Sequence, residues 1–105
     1  MTDYVLLYQG GHMPEGEEAQ KAVMDAWTSW FTSIGAAVKD GGNPFSGSAK
    51  SIAPDGAVTD GGGGSASGYT ILKADSIDDA VALAKGCPVL QGGASITVYE
   101  TLDMM

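Results

Sequence analysis

Between Ala19 and Val38 apolar residues recur every three or four positions, at Ala22, Val23, Ala26, Trp27, Trp30, Phe31, Ile34, Ala37 and Val38. That spacing draws one wide stripe along an amphipathic helix of about five turns. A helix with one apolar stripe has to lie on something. The runs on either side supply it, because they are β-prone. Tyr4-Val-Leu-Leu-Tyr8 is a continuous apolar run stopped by Gln9-Gly10-Gly11, the pattern of a central strand. Glu15-Gly-Glu-Glu18 gives the helix an acidic first turn; Lys39 is expected in its last turn and Gly41-Gly42 as its stop.

The middle of the chain is less regular. Ser48–Ala53 reads as a short strand, Pro54-Asp55-Gly56 as a turn, and Ala57–Thr59 as the returning strand of a hairpin. The glycine-rich stretch through Gly68 reads as loop. Tyr69–Ala74 is the next strand. Asp75 and Ser76 both suit a helix N-cap, with Asp78 and Asp79 in the first turn and Ile77, Ala80, Val81 and Ala84 on one face. Lys85-Gly86 closes that helix before Pro88. Ala94–Glu100 alternates, with Ile96 and Val98 on one side and Thr97 and Tyr99 on the other. The order is strand, helix, strand or hairpin, strand, helix, strand. This predicts one α+β domain over residues 1–105, of the ferredoxin-like βαββαβ kind, with an antiparallel sheet and both helices on one face. The other face needs a cover, and a second copy of the same sheet is the simplest one. A homodimer is therefore expected, with Ile96 or Val98 contributing to the buried face.

Charge excludes whole classes of partner. Thirteen Asp and Glu stand against five Lys and Arg, a net charge of −8. All five cations are lysines. Nucleic acids and anionic membrane surfaces are held by clustered Lys and Arg, so neither is an expected partner. No stretch reaches the roughly 18 apolar residues of a membrane span. One cysteine, Cys87, allows no internal disulfide, and the start of the chain lacks a signal-peptide pattern. A cytoplasmic protein is expected.

The segments, taken together, resemble the YCII-related family, which includes the DGPF-domain proteins. The resemblance rests on Tyr4-Val-Leu-Leu-Tyr8, on Gly41-Gly42-Asn43-Pro44-Phe45 after the first helix, and on Val58-Thr-Asp-Gly61 ahead of Gly68-Tyr69. It rests also on Ala74-Asp-Ser-Ile-Asp-Asp-Ala80, Gly92-Gly93 and Val98-Tyr-Glu100. It implies a ferredoxin-like fold assembled as a dimeric α/β barrel. Some members are thought to use a His–Asp pair, the His on the first helix and the Asp in an Asp-Pro after the second. Here those positions hold Met24 and Cys87-Pro88, and the Asp-Gly-Pro-Phe signature reads Asp60-Gly61-Gly62-Gly63. The fold carries over; that chemistry does not.

The remaining candidates are few. His12, the only histidine, follows the first strand in a loop where it could meet a ligand or act as general acid or base, given an orienting carboxylate such as Glu15 or Asp60. Met13 shares that loop. Trp27 could clamp a planar ligand, and Asn43 and Phe45 stand where a turn could border a pocket. Cys87 follows a helix C-terminus, whose dipole disfavours a thiolate, and reads as a packed thiol. The glycine run matches no phosphate-loop spacing, and one His with one distant Cys makes no metal set, so no cofactor is expected. The leading expectation is a homodimeric small-molecule-binding protein. A small enzyme using His12 and a protein-interaction module are the alternatives.

Overall fold

The computed structural model describes residues 1–12, 14–62 and 64–103. Its main sheet is built from β1 (Thr2–Gln9), β2 (Val38–Asp40), β5 (Ala66–Ala74) and β6 (Ser95–Glu100), in the order β2-β5-β1-β6 with every neighbour antiparallel. Helices α1 (Glu17–Ile34) and α2 (Ile77–Ala84) pack on one face of it. This is the ferredoxin-like arrangement, an α+β fold. β1 is central, as its apolar run requires. Its even-numbered residues Tyr4, Leu6 and Tyr8 are buried under the helices.

The second strand is not where the sequence places it. α1 stops at Ile34, with Gly35 as its cap at φ 53°, and a 3₁₀ turn over Gly35–Ala37 leads into β2. Val38 and Lys39 therefore lie on a strand rather than in a last helical turn. Apolar spacing could not detect the change, since Val38 packs against the same core from either backbone. Lys39 forms an ion pair with Asp3 across the sheet instead of meeting a helix dipole. The expected hairpin exists as β3 (Lys50–Ile52) and β4 (Val58–Asp60), but it forms a separate two-stranded sheet. Ile52 and Val58 pair in its register and are both exposed. β5 also starts earlier than expected, at Ala66, because Gly68 is buried opposite Tyr8 as part of the ladder rather than of a loop.

Two contacts lock the helices. Ser76, not Asp75, caps α2: its hydroxyl accepts from the Asp79 N–H at 3.1 Å. The Trp30 Nε1–H donates to the Leu83 carbonyl at 3.0 Å, tying α1 to α2. Trp30 joins Leu6, Tyr8, Leu72, Ala84 and Cys87 in the main core.

Ile96 and Val98 pack into this core under the helices, so they face the helices and not the open side of the sheet. Pleat alternation gives the opposite face to odd-numbered residues. There Tyr99, Val5 and Ile71 stand side by side in register, and Thr97, Leu7 and Tyr69 form the adjacent row. Among the described residues no helix is long and apolar enough to cross a membrane.

Candidate functional site

A cleft of about 820 Å³ opens between α1 and the β2–β5–β1 end of the sheet. One wall is α1, through Val23, Met24, Trp27 and Phe31. Val23, Trp27 and Phe31 come from the apolar stripe itself, which is wider than the core beneath it, and the exposed Met24 stands beside them. Trp30 fills the core, while Trp27, one turn earlier, is half-buried and meets the Tyr8 ring edge-on at 5.7 Å. Phe31 lies against both tryptophans, with centroids 5.7 and 5.2 Å away. The facing wall is Gly41–Pro44, drawn to the sheet by the Pro44–Gly68 bridge. His12, Pro14, Val89 and Gln91 border the opening.

The floor holds a chain of hydrogen bonds. Thr70 Oγ1 lies 3.0 Å from the Gly41 carbonyl and 2.6 Å from Tyr8 Oη, which in turn is 3.6 Å from Cys87 Sγ. A carbonyl can only accept, so Thr70 donates to Gly41. Tyr8 must then donate to Thr70, and the Cys87 thiol to Tyr8. Every proton in the chain runs one way and none is left over. Burial pushes the Tyr8 phenol far above its ordinary 10.0 and the Cys87 thiol above its ordinary 9.0. Groups with raised values in the fold keep protons that the unfolded chain releases. Their contribution is therefore complete below about pH 9 and is lost as pH climbs through the ordinary thiol and phenol values and beyond. We expect the denaturation midpoint to fall above pH 9, and to fall less in Tyr8→Phe than in the natural protein. Equal slopes for the two proteins would show that the chain does not carry the effect.

The sequence candidates divide. His12, Trp27 and Asn43 all line the cleft. Phe45 does not belong to that lining; it stacks on Tyr69 at 6.0 Å. Met13 lies outside the described residues. The His12 loop is held by its own backbone, the His12 N–H donating to the Gly92 carbonyl at 3.2 Å. A Cβ at Gly92 would stand 3.1 Å from the His12 carbonyl, a tight contact that a few tenths of an ångström of movement would relieve. Of the suggested orienting carboxylates, Asp60 pairs with Lys50 at 2.6 Å, and among the described residues no ion pair involves the His12 ring. Nor do any three His, Cys, Asp or Glu among the described residues gather as a metal site. Sequence reasoning missed Tyr8, Thr70 and Gly41 as a unit. Tyr8 carried the one available signal, a polar tip on a strand residue facing the core.

No protein-family model matches the chain, and no curated protein does. Among solved structures, the fold is similar to that of 5-chloro-2-hydroxyhydroquinone dehydrochlorinase (TftG) from Burkholderia phenoliruptrix AC1100, solved in complex with 2,5-dihydroxybenzoquinone. The two share 15% identity over 94% of this chain and 93% of the other, with a TM-score of 0.56. At that identity the likeness is one of fold. What this chain shares with the dehydrochlorinase is its overall architecture.

Proposed function

We propose that this is a homodimeric small-molecule-binding protein whose ligand lies in the cleft between α1 and the sheet. The observation that carries the reading is the cleft: about 820 Å³, walled by Trp27 and Phe31. Ligand sites are usually concavities of this size, mostly apolar, with a few polar groups at fixed places. The similar fold of a dehydrochlorinase complexed with a quinone supports the same use of the architecture. An acid–base role for His12 has less behind it, because among the described residues no hydrogen bond or ion pair orients the ring. A cytoplasmic setting fits the single buried, unpaired thiol.

A screen of small aromatic compounds by thermal shift is the test. A ligand that prefers the native state stabilises it by about 2.7 kcal/mol at a hundredfold excess over its Kd. We expect hits whose shift disappears in Trp27→Ala, with far-ultraviolet circular dichroism unchanged. A screen without hits, or hits indifferent to Trp27→Ala, would remove the cleft from the proposal.

The dimer rests on the sheet face opposite the helices, where Val5, Leu7, Ile71 and Tyr99 form adjoining rows, none of them fully buried. Light scattering at micromolar concentration should give twice the chain mass. Val5→Asp should give one chain mass, since it would bury an unpaired carboxylate at the centre of the contact. A natural protein already monomeric at that concentration would sink this part of the proposal.

A further inference from the structure

The cleft's chemistry narrows what it can hold, and the narrowing rests on the proposal that the cleft binds a ligand. Among the described residues its lining contains no Lys, Arg, Asp or Glu, and His12, at the opening, is its one histidine. This is unusual for a chain of net charge −8, whose charged groups have all been kept out. Three backbone donors around the cleft are committed as well. The N–H of Gly10 bonds the Ser65 carbonyl, that of His12 the Gly92 carbonyl, and that of Gly42 the Asp40 carboxylate. In the floor the Thr70 hydroxyl and the Tyr8 phenol pass their protons along to Gly41. An anion lodged against the floor and rings, away from the amides at the opening, would lose its water and meet oxygen lone pairs and ring edges in return. A cation would lose its water with no carboxylate to receive it. What the walls offer is ring surface, from Trp27 and Phe31, with side-chain amides from Asn43 and Gln91 at the opening.

We propose that the cleft selects uncharged, planar aromatic molecules, taking the ring against Trp27 and leaving polar substituents at the opening beside Asn43 and Gln91. Selection works by the absence of any partner for a charge. It requires no residue dedicated to repelling one, although the net charge of the protein adds to the rejection of anions.

Three probes of one shape test this: 2-naphthol, 2-naphthoate and 2-naphthylmethylammonium, titrated by calorimetry at neutral pH and moderate salt. The naphthol should bind at least about tenfold more tightly than either ion, the equivalent of one desolvated and uncompensated charge at its mildest. Val23→Lys, a substitution at a half-buried position of α1, places a cation in the wall and should narrow the gap between naphthol and naphthoate. Naphthoate binding as well as naphthol to the natural protein would overturn the selection while leaving the binding function standing. An unchanged gap in Val23→Lys would show that the overall charge, not the lining, does the sorting, and would overturn it too. If none of the three binds, the binding function falls and this inference with it.

Discussion

Replacing Trp30 by alanine is expected to lower stability by about 3–5 kcal/mol, the usual cost of emptying a core position of that size. Trp30 is 5% exposed and lies where α1, α2 and the sheet meet. Its indole N–H holds the Leu83 carbonyl, and Gly86 packs so close that a Cβ there would stand 3.2 Å from the ring. Removing the ring empties the contact between both helices and leaves a part-buried carbonyl without its donor. A chain of 105 residues has a total stability on the order of 5–15 kcal/mol, so the variant keeps little margin. Urea denaturation followed by near-ultraviolet circular dichroism reads the effect directly. Trp27→Ala is the companion measurement. It removes the same side chain from the cleft wall, where part of its surface already faces solvent, and should cost clearly less. Equal losses from the two would mean that the division into core and cleft residues is mistaken.

Gly42→Ala should be nearly as damaging, for a different reason. Gly42 sits at φ +73°, and a Cβ built there would lie 1.7 Å from the Tyr69 carbonyl oxygen. No rotamer relieves that collision, because the backbone fixes where a Cβ stands and the oxygen is itself backbone. The Gly42 N–H donates to Asp40 Oδ1 at 2.8 Å, which fixes the turn just after β2. The wall over Gly41–Pro44 would have to lift from β5, opening the cleft as well as the sheet edge. Gly10 provides the control, since it has the same φ of +73° with nothing within 4 Å of its Cβ position. Gly10→Ala meets only the backbone penalty, about 1–2 kcal/mol. Gly42→Ala should exceed it by more than about 1 kcal/mol and also abolish binding of any cleft ligand. If the two variants have the same denaturation midpoint, the close approach at Tyr69 is not a constraint in solution.

Much of this could be read from the residues in order. The apolar stripe gave α1 to within an end. The Ser76 cap, the closing Pro88 and the alternation in β6 are local signals too, and each is found where local chemistry puts it. The balance of charge, five lysines and no arginine against thirteen acidic residues, is likewise legible from composition alone. Of the site, His12, Trp27 and Asn43 were legible because a lone histidine, an aromatic on a wide stripe and a turn residue are conspicuous by type.

What the residues in order could not say is which short segment joins the sheet. Val38–Asp40 and the 48–59 hairpin are both three-residue strands, too short for periodicity to separate from a helix end or a turn. The choice was made by partners far along the chain: Val38 meets Leu72, and the hairpin meets only itself. The direction of Ile96 and Val98 is a similar case. Alternation showed that they share a face, but only the helices packed over Tyr4, Leu6 and Tyr8 decided which face that is. The floor of the cleft joins Tyr8, Gly41, Thr70 and Cys87 from four separate elements and loops. Spacing along a chain reports which side chains share a surface, whereas a hydrogen-bond chain between distant segments exists only once the sheet has brought them together.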